Sequence, residues 1–157
     1  MLFVQSSLSQ NLGNTAYGNS VKFVLSLKTD DYGFLESGKP QTHLGQGTQV
    51  AIGLLPLGMR IADSQAVVVQ PIGSATTASI GLKYIDGSNY MDDISKYAHI
   101  GYFASNLDLS QPTRIRDVMG RASLLLPKPA YVVIEINGDL LNSKLHLEVI
   151  IDGTLEG

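Results

Sequence analysis

The chain has 157 residues, 44% hydrophobic and 16% charged, with a formal charge of −3 at pH 7 and no cysteine. This length suits one domain with a core of its own and is short for two. The missing cysteines exclude disulfides, thiolate metal sites and cysteine nucleophiles together. Lys and Arg are scattered, so the clustered positive charge that nucleic-acid binding needs is absent. The charged fraction lies below the roughly 25% usual for soluble domains. Part of the surface is therefore expected to be covered by partners.

In chain order, residues 1–20 are rich in Asn, Ser, Gln and Gly and read as an extended arm. No basic residue precedes their short apolar start, which speaks against a signal peptide. No run of 18 apolar residues occurs, which speaks against a membrane span. The expectation is a protein made in a cytoplasm that stays soluble or assembles there.

Residues 21–157 read as one β domain. In 21–28, Val21, Phe23, Leu25 and Leu27 alternate with Lys22, Val24, Ser26 and Lys28. Such a period of two gives one core face and one outer face. Residues 49–55 form a further strand, stopped by Pro56, Leu57 and Gly58. Residues 59–72 follow, with a break expected around Asp63 and Ser64. Val67, Val68 and Val69 place apolar groups on both faces of that segment. This fits either a strand covered by the core on one side and another subunit on the other, or an interior strand of a monomeric sandwich. Residues 75–85 are a small-residue strand rich in Thr, Ser and Ala. Residues 98–104 and 122–126 are weaker strands, while 90–96 and 114–120 fit single helical turns.

Residues 131–137 and 145–152 alternate most cleanly, with Val132, Ile134 and Ile136 in the first and Leu145, Leu147, Val149 and Ile151 in the second. The link 138–144 between them reads as a hairpin loop. Seven to nine short strands give an all-β, antiparallel β-sandwich. The long links 29–48 and 105–121 favour a jelly roll or Greek key of about eight strands.

Chemistry is sparse. His43, His99 and His146 share no metal-ligand spacing. His146 falls on the outer face of its strand. Asp86, Gly87, Ser88 and Asn89 with Asp92 and Asp93 resemble a calcium loop, yet lack the spacing to a distal Glu. Asp30 and Asp31 form a second acidic pair. Such residues fill β-domain loops for turn reasons alone. No serine stands in a nucleophile elbow, and Gly45, Gln46 and Gly47 lack the Lys-Ser/Thr pair of a phosphate loop. Tyr17, Tyr32, Tyr84, Tyr90, Tyr97, Tyr102 and Tyr131 could line a sugar site or simply pack a sandwich. No catalytic, cofactor-binding or metal residue is assigned, no cofactor is expected, and the protein is expected not to be an enzyme.

One layout carries a resemblance. LLPLGMRIADSQAVVVQPI is followed by SATTASIGLKYIDG, and the chain closes on AYVVIEINGDLLNSKLHLEVIIDG. From about residue 48 to 152 this resembles the capsid decoration, or cement, proteins of tailed bacteriophages. Where those proteins often carry a charged loop end, this chain has the milder DGSNYMDDISK. The resemblance implies a jelly-roll sandwich on the outer capsid surface of a virion, made in the host cytoplasm. Its partners would be the major capsid protein and itself, as a homotrimer before a homodimer, with neither nucleic acid nor membrane. A tail- or fibre-associated receptor-binding module and a carbohydrate-binding sandwich are the alternatives.

Overall fold

The computed structural model describes residues 2–3, 20–36, 43–72, 76–86, 102–116, 124–138, 141 and 143–155. Among the described residues ten strands occur in order: β1 (Leu2–Phe3), β2 (Ser20–Lys28), β3 (Gln49–Leu55), β4 (Met59–Gln70), β5 (Thr77–Tyr84), β6 (Ala104–Asp108), β7 (Thr113–Arg116), β8 (Leu124–Leu125), β9 (Ala130–Asn137) and β10 (His146–Leu155). They form two five-stranded sheets. One runs β1-β3-β9-β5-β6. The other runs β2-β10-β4-β7, with β8 also pairing β4.

The antiparallel pairings are nested. β5 pairs β6, β4 pairs β7, β3 pairs β9 and β2 pairs β10, each pair enclosing the one before in sequence. Successive pairs fall in alternate sheets. The chain is thus a doubled ribbon wound around a core, and β5·β9 and β4·β10 join one turn of the ribbon to the next. Eight strands wrapped in this way are a jelly roll.

The alternating residues of the two sheets face each other. Phe23, Leu25, Val149 and Ile151 meet Ile80 and Ile134 in a core closed to solvent. Each such side chain contributes roughly 1.5–3 kcal/mol of burial. Gly53 lets the sheets approach, since a Cβ there would lie 2.6 Å from Leu25 Cδ1. At Gly153 a Cβ would run into the backbone carbonyl of Arg60, so β10 can lie against β4 there only with glycine. Pro56, Leu57 and Gly58 turn the chain from one sheet to the other. Met59 N–H donates to Pro56 O at 3.3 Å, and Gly58 takes φ 82°. That positive φ at the third position of a turn is where glycine carries no steric cost.

Four expectations change. Residues 131–137 and 145–152 are strands but not a hairpin, because β9 and β10 lie in opposite sheets. Of the link between them, Leu141 and Leu145 are buried. Thr29, itself fully buried, holds it by donating to Ser143 O at 3.1 Å and accepting from Leu145 N–H at 2.8 Å. There is no break at Asp63 and Ser64. β4 is continuous, and one extra residue, Ala62, bulges where Asp152 pairs Asp63 and Gly153 pairs Ile61. The expected helical turn at 114–120 begins as β7, a ladder strand on β4, so the link 105–121 holds β6 and β7 instead of loop. The strand expected at 98–104 starts only at Ala104, after a bend in which the buried rings of Tyr102 and Phe103 meet edge to face at 5.1 Å. The helical turn at 90–96, with residues 98–101 and 117–120, lies outside the described residues.

Candidate interaction surface

The two sheets differ on their outer faces. In the β1-β3-β9-β5-β6 sheet, Phe3, Ala51, Val133 and Gly81 form one cross-strand row. The row points away from the core, because Val133 alternates with core residues Val132 and Ile134. Nevertheless Ala51 and Val133 are fully closed to solvent. At its edge the ring of Phe3 meets Tyr131 at 5.4 Å, edge to face. Toward one end the face is polar and internally satisfied: Gln49 Nε2 donates to Glu135 at 2.8 Å, and Asn137 Nδ2 donates to Ser79 Oγ at 3.3 Å.

The outer face of β2-β10-β4-β7 is open. Its rows read Ser26–Glu148–Val67–Arg114 and Val24–Ile150–Gln65–Arg116, with Lys22–Asp152–Asp63 beside them. Val24 is 51% exposed, and Val69, at a second bulge of β4, is 48% exposed. Two ion pairs and one arginine–amide hydrogen bond frame the apolar residues. Arg116 meets Asp63 at 2.5 Å, Arg114 donates to Gln65 at 2.6 Å, and Lys22 lies 3.8 Å from Asp152. Exposed pairs of this kind contribute at most about 1 kcal/mol. Their effect is to fix side-chain positions around a shallow apolar centre. Val67–Val69 is thus not enclosed on both faces by its own chain: Val68 is core, Val67 half-buried and Val69 exposed.

A second apolar patch lies at one end of the sandwich. Leu57, Ile85 and Leu125 are exposed on neighbouring segments, which are tied by Gly58 N–H to Leu126 O and Ile85 N–H to Pro129 O.

The residues weighed for chemistry are dispersed or structural. Asp30 Oδ1 accepts from the N–H groups of Tyr32 and Phe34 and so shapes its own turn. Asp86 pairs Lys128 at 2.9 Å. Gly87, Ser88, Asn89, Asp92 and Asp93, the rest of the calcium-like stretch, and His99 fall outside the described residues. Among the described residues no three His, Asp or Glu side chains gather as metal ligands. The ring of His43 packs on Phe34 at 3.9 Å. His146 is half-buried on the outer face, with Nε2 3.2 Å from Glu148, within ion-pair reach but not aligned as a hydrogen bond. Gly45 and Gly47 belong to a turn closed by Thr48 N–H to Gly45 O at 3.0 Å. Of the described tyrosines, Tyr84 and Tyr102 are buried, Tyr32 is exposed and Tyr131 packs on Phe3, so they do not share one cleft. The closed row through Val133 escaped the sequence reading, because alternation gives the facing of a residue and not what covers it.

No protein-family model matches the sequence, and a search of curated proteins finds no match. Solved structures do match. A chain of the capsid of Ralstonia phage GP4 superposes with a TM-score of 0.55 at 11% identity, over 91% of this chain and 88% of that one. A chain of the cyanophage Pam1 capsid asymmetric unit gives 0.55 at 9% identity, over 94% of each. A chain of the acidic stable capsid of Helicobacter pylori bacteriophage KHP30 gives 0.52 at 12% identity, over 88% and 94%. At such identities the likeness is one of fold, and the fold is the jelly roll found in chains of phage capsids.

Proposed function

We propose that this protein is a structural component of a bacteriophage capsid, and more specifically a decoration protein that binds the outer surface of the head and bridges major capsid subunits. The observation that carries the reading is the likeness to phage capsid chains over most of both chains. The low charged fraction and the exposed apolar centre of the otherwise polar β2-β10-β4-β7 face support it. In this reading the protein turns nothing over. Its contacts come from that open sheet, from the Leu57–Ile85–Leu125 end, and from residues 1–20 acting as an arm on one sandwich domain, residues 21–157, with Leu2–Phe3 anchoring the start of the arm on β3 and Ser20 already part of β2. Several weak contacts on one rigid body add through effective concentration. Self-association, with a trimer as the expected state, multiplies them.

The test is to mix purified protein with undecorated heads of the phage that encodes it. Full-length protein is expected to occupy the shell and raise the temperature of genome release. A chain lacking residues 1–18 is expected to keep its fold and bind with lower occupancy. The fold itself should lose about 0.5–1.5 kcal/mol from the missing Phe3–Tyr131 contact. Absence of full-length protein from the shell would overturn the decoration reading. Equal occupancy by both chains would remove the arm's role.

A further inference from the structure

We infer that the edge of β2 opposite β10, which pairs with no strand among the described residues, pairs with β2 of a second copy, antiparallel, about a two-fold axis through Val24. Among the sheet edges β2 is the long one. β1, β6 and β7 have two, five and four residues, whereas β2 has nine. Long edges with unused backbone groups are templates for another strand.

The backbone of β2 states which groups are available. Thr29 N–H donates to Leu145 O, across the ladder from it, while Lys28 O accepts from Glu36 N–H on the other side. In an antiparallel ladder these directions alternate along the strand. Lys22, Val24 and Ser26 therefore aim N–H and C=O at the free edge, and among the described residues nothing pairs with them there. The contact of Glu36 with Lys28 closes the edge beyond Ser26.

Only some registers use these groups on both copies. With the axis at Val24, Val24 faces its own copy, Lys22 faces Ser26 of the partner subunit, and Ser26 faces Lys22 of the partner subunit. All three are hydrogen-bonded pairs, and no ammonium opposes another. Val24, half exposed in one chain, becomes covered together with its neighbour Ile150, so the two apolar centres merge across the axis. This pairing is independent of the capsid reading. In a trimer it would link one trimer to the next.

The absence of cysteine from the chain makes the geometry directly testable. Opposed residues of a hydrogen-bonded pair have Cα atoms about 5.5 Å apart, inside the range a disulfide spans. Val24→Cys in the full chain is expected to form a disulfide-linked dimer under mild oxidation. Ser26→Cys is expected to form none, since the two copies of residue 26 would lie roughly 13 Å apart along the strands. Sedimentation should show concentration-dependent association of the unmodified protein, weakened about tenfold or more by Val24→Lys, which opposes two ammonium groups at an exposed position. A monomer at every attainable concentration would overturn the pairing. So would association indifferent to Val24→Lys, or cross-linking at residue 26 as efficient as at residue 24.

Discussion

β9 and β10 are nearly interchangeable as sequences, yet they occupy opposite environments. Both alternate aliphatic and other residues, and both send every second side chain into the same core. On the outer side, Val133 of β9 is closed to solvent, while Ile150 and its companions on β10 remain partly open. The two outer faces of one sandwich thus need not be alike: here the Val133 row is closed within the chain, whereas the face around Ile150 stays partly open.

The largest effects should not distinguish the two strands. Leu147→Ala in β10 and Ile134→Ala in β9 each remove a fully buried side chain. Each is expected to lower stability by about 2–5 kcal/mol in denaturant unfolding. A loss from only one of them would mean that the sheets do not share a core. Gly153→Ala should come next, at about 1–3 kcal/mol, because its methyl group meets the Arg60 carbonyl and forces β10 off β4. Unchanged stability would refute that close approach.

The outward residues separate the strands. Val133→Ala deletes two buried methyl groups and should cost roughly 1.5 kcal/mol. Ile150→Ala, at a half-open position, should cost under about 1 kcal/mol. His146→Ala should change even less. Equal costs for Val133→Ala and Ile150→Ala would erase the distinction between the faces.

The smallest effect lies at the β6–β7 corner, where neither face is involved. Ser110 donates its hydroxyl at 2.7 Å and its N–H at 2.8 Å to Asp108 Oδ1. These bonds hold the Asp108 carboxyl below the ordinary aspartate range. With a folded value below the unfolded one, the contribution is present above the unfolded pKa and is lost as pH falls through the folded one, in the acid range below about pH 4. Ser110→Ala should raise the Asp108 titration midpoint, followed by NMR, with little change in the neutral-pH melting temperature. An unmoved midpoint would show that Ser110 does not set it.

Much of the jelly roll was legible in the sequence. β2, β3, β5, β9 and β10 announce themselves by alternation or β-branching, and the Pro56–Gly58 turn by its residue types. Partner choice was not legible. Alternation states which side chains face inward, and it reads the same whether β9 turns back on β10 or crosses to the other sheet. β7, with four residues, is too short to show a period and exists because β4 offers it an edge. The open face was half visible: Val24 and Ile150 fall on the outer side by simple counting, but their mutual contact needs the β2·β10 register.

On the proposed capsid reading, the decisive measurement is electron cryo-microscopy of intact particles of the phage that would encode this chain. Two-sheet density is expected on the outside of the head. The outer face of β2-β10-β4-β7 should lie against another subunit, with the Val133 row still covered by its own chain. Density confined to the tail, or a head-bound sandwich with that open face turned wholly to solvent, would contradict it.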